Sequence, residues 1–391
     1  MRNGLDISGA SELVHEIGDK PAEAVIDFHA SAVPGLSGAE VSIRTAHHGT
    51  QRMARSFRIP FTQDSARRLG GLSSYEAAVA ALGACVLITH VHGYSARGVT
   101  ITSLRVTVTA AVEVDAHGRW TGGETALHDL RYLVEADCDG SADSVREVSR
   151  FVTCFSPNHR AFLDEGSYRL AAVAVRPDGT PDAAELDRAD PAPAGANGTR
   201  LELTAELTWE YGVQATATTT FAPGGELRRE RPALVVDQSK QMLGLDRGPN
   251  PQELLLAAVS ADLTHQVRAL AARRGIPLDG VEVESSGRLD IRGMLNVSAD
   301  IPARFHNLRF AVRAETEAPL ADLTGLVREA ASRNVVLATL VRANSVRVDL
   351  RSPAGPLDGF TSDAGQVTEF LAEVARKQAA TAAGNALTGR R

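Results

Sequence analysis

Cysteine is scarce: Cys85, Cys138 and Cys154 are the only three in 391 residues. That number is too small and too odd for a disulfide framework, so a reducing, cytoplasmic setting is expected. No Cys-x-x-Cys, phosphate loop or dinucleotide fingerprint occurs either, and neither a cofactor nor a metal is expected. A basic stripe is also missing. The chain carries 41 Lys and Arg against 48 Asp and Glu, a formal charge of −7, which makes phosphate backbones poor partners and argues against nucleic acid. The longest apolar run, Ala77 to Ile88, falls well short of the roughly 20 residues a membrane helix needs. It reads as a buried core helix, and no membrane partner is expected. The start, Met1 to Asp6, lacks the apolar stretch of a signal peptide.

What is present is an ordinary globular composition, 43% hydrophobic and 23% charged. The length suits two or three domains at roughly 100–200 residues each. An internal repeat organises it. Gly71-Leu72-Ser73-Ser74-Tyr75-Glu76-Ala77-Ala78 returns as Gly248-Pro249-Asn250-Pro251-Gln252-Glu253-Leu254-Leu255, an offset of 177. Leu127-His128-Asp129-Leu130-Arg131-Tyr132 returns at 178 as Phe305-His306-Asn307-Leu308-Arg309-Phe310. The two halves read as copies of one domain.

Each copy opens a long apolar helix with a capping signal, Ser73-x-x-Glu76 or Asn250-Pro251-x-Glu253, and ends it near Gly98 or Gly275. Alternating strands follow at 103–108 and 280–284. A second helix is expected over 144–155 or 320–332, and a last strand over 168–175 or 345–350. Strands and helices in these blocks define an α+β class built on antiparallel sheet. The expected division is a helical extension over 1–34, domains over 35–175 and 200–352, a Pro/Ala/Gly-rich flexible linker over 176–199, and a C-terminal helix and tail over 353–391.

Arg247-Gly248-Pro249-Asn250-Pro251-Gln252-Glu253-Leu254-Leu255-Leu256-Ala257-Ala258, followed by Ala271 to Ile276 and Leu289 to Gly293, resembles the OsmC/Ohr family of osmotically inducible and organic hydroperoxide resistance proteins. The resemblance implies a thiol peroxidase fold that works as an intertwined dimer, with two central helices side by side and sites drawing on both subunits. Two copies in one chain would form that dimer internally, a pseudo-dimer that is monomeric or associates further. The family's reactive cysteine falls on Cys85 in copy one and on Asp262 in copy two. Its second cysteine falls on Ser156 and Asn334. Cys154 lies two residues before Ser156 and is the candidate resolving thiol, although a two-residue helical step points it about 200° away. The family glutamate falls on Tyr75 and Gln252. Its activating arginine is to be sought among Arg44, Arg52, Arg55, Arg58, Arg228, Arg229 and Arg231.

On the residues alone, Cys85 within Ala-Leu-Gly-Ala-Cys-Val-Leu-Ile is a small buried hydrophobe; the resemblance makes it a nucleophile that needs a cation from elsewhere in the fold. His92 shares its helix face two turns on, and His90 faces away. Asp262, inside an apolar helix, is either paired or solvated, or a general acid/base with His265 at i+3 as its partner. Glu76 and Glu253 have a sufficient role as caps, and His128 and His306 a shared structural one. His47 and His48 face opposite ways on a strand, which argues against a metal site there.

Three functions remain open. One is a thiol-dependent reductase of organic hydroperoxides, served by Cys154 or an external dithiol. A second is a repurposed enzyme whose Cys85, Asp262 and His265 act on a specialised small molecule. The last is a non-catalytic binder of an apolar compound.

Overall fold

The computed structural model describes residues 1–388 except 37, 63–71, 115–125, 193–198, 224–228 and 231–232. The first half runs α1 (Ile7–Asp19), β1 (Val25–Pro34), β2 (Gly38–His48), β3 (Gln51–Arg52), β4 (Phe57–Thr62), α2 (Ser74–Ala96), β5 (Ile101–Val114), β6 (His128–Cys138), α3 (Ala142–Phe155), α4 (Pro157–Leu163), β7 (Tyr168–Val175) and β8 (Pro181–Leu186). It continues with β9 (Thr199–Tyr211), β10 (Gln214–Pro223), β11 (Arg229–Glu230), β12 (Leu234–Val236), α5 (Pro251–Arg274), β13 (Gly280–Asp290), α6 (Ile291–Met294), β14 (His306–Glu315), α7 (Leu320–Ser332), α8 (Val335–Leu340), β15 (Val346–Ser352), β16 (Gly355–Ser362) and α9 (Ala364–Thr388). The class is α+β.

Both central helices form where the capping signals stand. The Ser73 hydroxyl accepts from the Glu76 N–H while Glu76 accepts from the Ser73 N–H; Asn250 and Glu253 do the same for α5, with Pro251 in its first turn. Gly275 closes α5 at φ 65°, a left-handed conformation that costs a glycine little. Nearly every residue of α2 is buried, as expected of a helix apolar on all sides. By length and composition alone α2 is apolar enough to cross a membrane, but it packs against α5 and one of the sheets and is a core helix.

Two sheets enclose this helix pair. One runs β3-β2-β1-β13-β14-β7-β8, with β4 also on β2; the other runs β11-β10-β9-β5-β6-β15-β16, with β12 also on β10. The second order is the first with β9–β12 for β1–β4, β5–β6 for β13–β14, and β15–β16 for β7–β8. Each sheet therefore takes strands from both halves of the chain. β13 joins β1 antiparallel and β7 joins β14 in parallel; β5–β9 and β6–β15 repeat that pattern. Helix α5 lies on the first sheet and α2 on the second, so the core is a sandwich with the helix pair inside. Asp129 and Asn307, at matching places in the repeated block, both adopt positive φ (52° and 53°). Short polar side chains tolerate this conformation.

Three boundaries differ from the sequence reading. Residues 25–34, assigned to a helical extension, form β1, whose Ile26, Phe28, Ala30 and Ala32 alternate into the core; that period of two is the strand signal. The expected linker 176–199 begins as the β7–β8 hairpin, turning at Gly179 with φ 83°, because Pro177-Asp178-Gly179 is turn chemistry between strands. Pro193 to Gly198 lie outside the described residues. Strand β16 likewise occupies 355–362, ahead of the expected C-terminal helix α9. The α3, α7, β7 and β15 segments form where they were expected.

Candidate functional site

Cys85 sits mid-helix in α2, 3% exposed, and its surroundings come from three elements. The Asn158 backbone N–H at the start of α4 lies 3.4 Å from Sγ. The Gln252 amide, at the start of α5, donates to Sγ from 3.2 Å and reaches Asn158 Oδ1 at 3.4 Å. Asn158 is itself fixed by bonds from Nδ2 to the Ala81 and Pro251 carbonyls, both 2.9 Å, so it ties the two central helices together at the thiol. Thr89, one turn on, donates to the Cys85 carbonyl at 2.7 Å.

Burial pushes the thiol above its ordinary range, against the opposing effects of Ser156, Asn158, Gln252 and Thr89. These are all neutral groups. Among the described residues no cation reaches hydrogen-bond distance of Sγ. At neutral pH the resting group is the protonated thiol, and a reaction through the thiolate must remove that proton.

Of the candidate arginines whose side chains are described, Arg55 is the one drawn inside. Its guanidinium pairs with Glu253 at 3.1 Å, both side chains 2% exposed, and with Asp246 at 3.1 Å. It also donates to the Gly248 carbonyl at 2.7 Å and stacks over Phe57. Burial raises Glu253, while Arg55 opposes that rise. Arg55 thus crosses between the halves and clamps the first turn of α5, one residue from the Gln252 that touches the thiol. Arg44 and Arg58 are exposed, and Arg52 lies on the short outer strand β3; Arg228 and Arg231 lie outside the described residues.

Asp262 occupies the matching place on α5, 3% exposed. Its carboxyl accepts from the Val335 N–H at 3.2 Å and from the Gln266 amide at 3.4 Å. Burial pushes it up to about 7, only partly offset by those two bonds. The bonds to this carboxyl come from Gln266 and Val335, so the structure sets Gln266, at i+4, against it instead of His265. Cys154 packs in the hydrophobic core of α3, and burial raises its thiol to about 11 against Arg160. Cys85 and Cys154 are both free thiols; Ser156, rather than Cys154, is the residue at this end of α3 that acts on the Cys85 sulfur. Cys138 is free and half-buried at the end of β6.

Sequence reasoning missed a buried polar chain. Tyr132 Oη lies 2.8 Å from His159 Nδ1, and His159 Nε2 lies 3.0 Å from Ser362 Oγ. Burial lowers His159 to about 3, so the ring is neutral, with one ring nitrogen donating and the other accepting. His90 has a structural role, with Nδ1 2.8 Å from the Val86 carbonyl. His47 is exposed and His48 buried, as alternation demands. Among the described residues no cluster of three or more His, Cys, Asp or Glu side chains has metal-site geometry.

Fold and site together define an α+β protein that buries one thiol among amide and hydroxyl donors contributed by distant parts of the chain. A family model described as "OsmC-like protein" matches residues 244–351, so that segment is similar to the OsmC family. The matched segment contains Asp262, not Cys85. Two solved structures are similar at low identity. An OsmC-like protein from Mycoplasma pneumoniae is 19% identical, covering 30% of this chain and 77% of its own, with a TM-score of 0.22. An OsmC-like hydroperoxide resistance protein from Jannaschia sp. CCS1 is 17% identical over 37% of this chain and 89% of its own, with a TM-score of 0.24. No curated protein matches.

Proposed function

We propose that the chain is two OsmC-like copies, residues 25–186 and 199–362, paired within one polypeptide, and that it is a thiol-dependent hydroperoxide reductase acting through Cys85. Support for the pairing comes from the two equivalent sheet orders, the two capping boxes, and the bonds from Asn158 N–H to Cys85 and Val335 N–H to Asp262, in which donor and acceptor are both displaced by 177 residues. The observation that carries the chemistry is a thiol on the central helix of one copy held by Gln252 of the other, the cross-subunit site that the family resemblance implies.

In this reading the Cys85 thiolate attacks the distal oxygen of an organic hydroperoxide. An S–O bond forms as the O–O bond breaks; the leaving alkoxide takes a proton and departs as alcohol, and Cys85 becomes a sulfenic acid. An external dithiol then reduces it, yielding a disulfide, water and the free thiol. Turnover of cumene hydroperoxide with a dithiol tests this: native protein should consume peroxide and Cys85→Ser should not. Equal rates in the two would exclude it.

The wholly neutral surroundings of the thiol favour a second reading, nucleophilic or acid–base chemistry on a specialised small molecule by Cys85, or by Asp262 with His265. Peroxide consumption absent from native protein, together with iodoacetamide trapping of Cys85 blocked by an added small molecule, would point there.

A further inference from the structure

A sulfenic acid at Cys85 needs a partner to resolve it, and the thiols of this chain are poorly prepared for that. Where the family resemblance puts a second cysteine the chain has Ser156. Cys154 packs into the hydrophobic core of α3, its thiol raised to about 11, and neither it nor Cys138 is among the groups that act on the Cys85 sulfur. The atoms that do approach Sγ are nitrogens. Gln252 Nε2 lies at 3.2 Å and the Asn158 backbone nitrogen at 3.4 Å. A sulfenic acid condenses with a thiol to a disulfide or with an amide nitrogen to a sulfenamide, releasing water in either case. The second of these reactions is the one the geometry serves.

The two nitrogens differ in freedom. Asn158 is tied to both central helices through its bonds to the Ala81 and Pro251 carbonyls, so its backbone nitrogen could close on the sulfur only if the start of α4 moved. Gln252 Nε2 ends a side chain with three rotatable bonds, and a small change of rotamer carries it forward while the backbone stays in place. The same side chain is 2% exposed, which confines the amide against the sulfur. Its bond to Asn158 Oδ1 at 3.4 Å turns the nitrogen, not the oxygen, toward Cys85 and polarises it. Two groups held this way react as parts of one molecule, without the entropy cost of meeting.

We propose that the sulfenic form of Cys85 is captured by the side-chain amide of Gln252, giving a sulfenamide cross-link between α2 and α5. The proposal rests on the reading of Cys85 as the thiol oxidised by hydroperoxide. The Nε2 lone pair forms the S–N bond as the S–O bond breaks, and the departing hydroxide takes one Nε2 proton and leaves as water. Sulfur keeps its oxidation level, so no further oxidant enters. An external dithiol reverses the step. Its thiolate attacks Sγ, the S–N bond breaks and Nε2 regains a proton; the second thiol of the reductant then frees Cys85 and closes a disulfide. The cross-link stands in for the missing cysteine and keeps Cys85 from passing to the irreversible sulfinic acid. The other half has no such device, because Tyr75 and Asp262 occupy the matching places.

The test is to oxidise native protein with cumene hydroperoxide in the absence of reductant until the Cys85 thiol is consumed, digest it with pepsin in acid, and weigh the peptides. The peptide holding Cys85 should be joined to the peptide holding Gln252, two hydrogen atoms lighter than their sum, and dithiothreitol should separate them. Dimedone, which traps sulfenic acids, should label Cys85 at least tenfold more in Gln252→Leu than in native protein at equal thiol consumption. Gln252→Glu, which keeps the shape of the side chain but carries no nitrogen, should behave as Gln252→Leu does. Under excess hydroperoxide both variants should pass to sulfinic acid while dithiothreitol still restores the native thiol. Equal dimedone labelling in all three proteins, or a link from Cys85 to Cys138, Cys154 or Asn158, overturns capture by Gln252 and leaves the peroxidase reading standing. A Cys85 thiol untouched by hydroperoxide overturns that reading and the capture with it.

Discussion

Cys85 and Asp262 stand at matching points of two equivalent helices, each facing a backbone N–H 73 residues further along the chain, yet they hold different chemistry. One backbone donor serves a neutral thiol in one place and a carboxyl in the other. The side chains around that donor differ. Cys85 receives the Gln252 amide from across the helix pair, and the position equivalent to Gln252 in the first half is the buried Tyr75. At Asp262 the second donor is Gln266, whose counterpart beside Cys85 is Thr89. Burial raises the pKa of both groups. A thiol so treated stays protonated and compact, whereas a carboxyl is brought into the physiological titration range. The backbone conserves the cavity for an acceptor, and the neighbouring side chains determine which acceptor is useful.

The largest expected effect comes from the Arg55–Glu253 pair that clamps the first turn of α5. Arg55→Ala would leave Glu253 buried without its cation, and breaking such a pair costs about 3–5 kcal/mol. Urea unfolding should show that loss, and an unchanged midpoint would mean the pair contributes nothing. Next is the pH response of Asp262. Its folded pKa of about 7 lies above the unfolded value of 3.8, so the folded state holds the proton more tightly and stability falls as pH rises from about 4 through 7. The loss is of order a few kcal/mol at about 1.4 kcal/mol per pH unit. Asp262→Asn should flatten that slope between pH 5 and pH 8; an equally steep slope would place the titration elsewhere.

A smaller effect is expected at the thiol. Gln252→Leu removes one donor to Sγ, a bond worth about 1 kcal/mol, so alkylation of Cys85 at pH 8 should slow several-fold. In native protein the alkylation rate should keep climbing above pH 9. A plateau near pH 7 would show an activating cation that the resting geometry lacks. Smallest of all is the gain from Asp262→Cys: with Tyr75 where the first site has Gln252, the introduced thiol should add less than a tenth to peroxide turnover.

Much of this comparison was legible beforehand. The offset of 177, the capping boxes and both central helices follow from local pattern, and the choice of Cys85 and Asp262 follows from the family resemblance. Strand exchange was not legible, because alternation shows that Val25 to Ala32 forms a strand without showing that it pairs with β13 some 250 residues away. Strand β8 was hidden by a Pro- and Asp-rich composition, although Pro177-Asp178-Gly179 was a usable turn signal. The site partners were hidden in the same way as strand exchange. Gln252 looked like a lost glutamate, and only the packing of α5 against α2 brings its amide to a sulfur 167 residues earlier. Arg55 could be selected from its neighbours only once burial was known.

Strand exchange also bears on inheritance. In a dimer of identical chains every substitution appears in both active sites at once, so a residue that improves one must be tolerated by the other. Here β13 and β14 complete the sheet that begins with β1, and β5 and β6 complete the one that begins with β9. The two halves share both sheets while each position is encoded separately. One half can therefore hold a carboxyl at Asp262 and still supply Gln252 to the thiol of the other, an asymmetry that a symmetric pair of identical chains could not maintain.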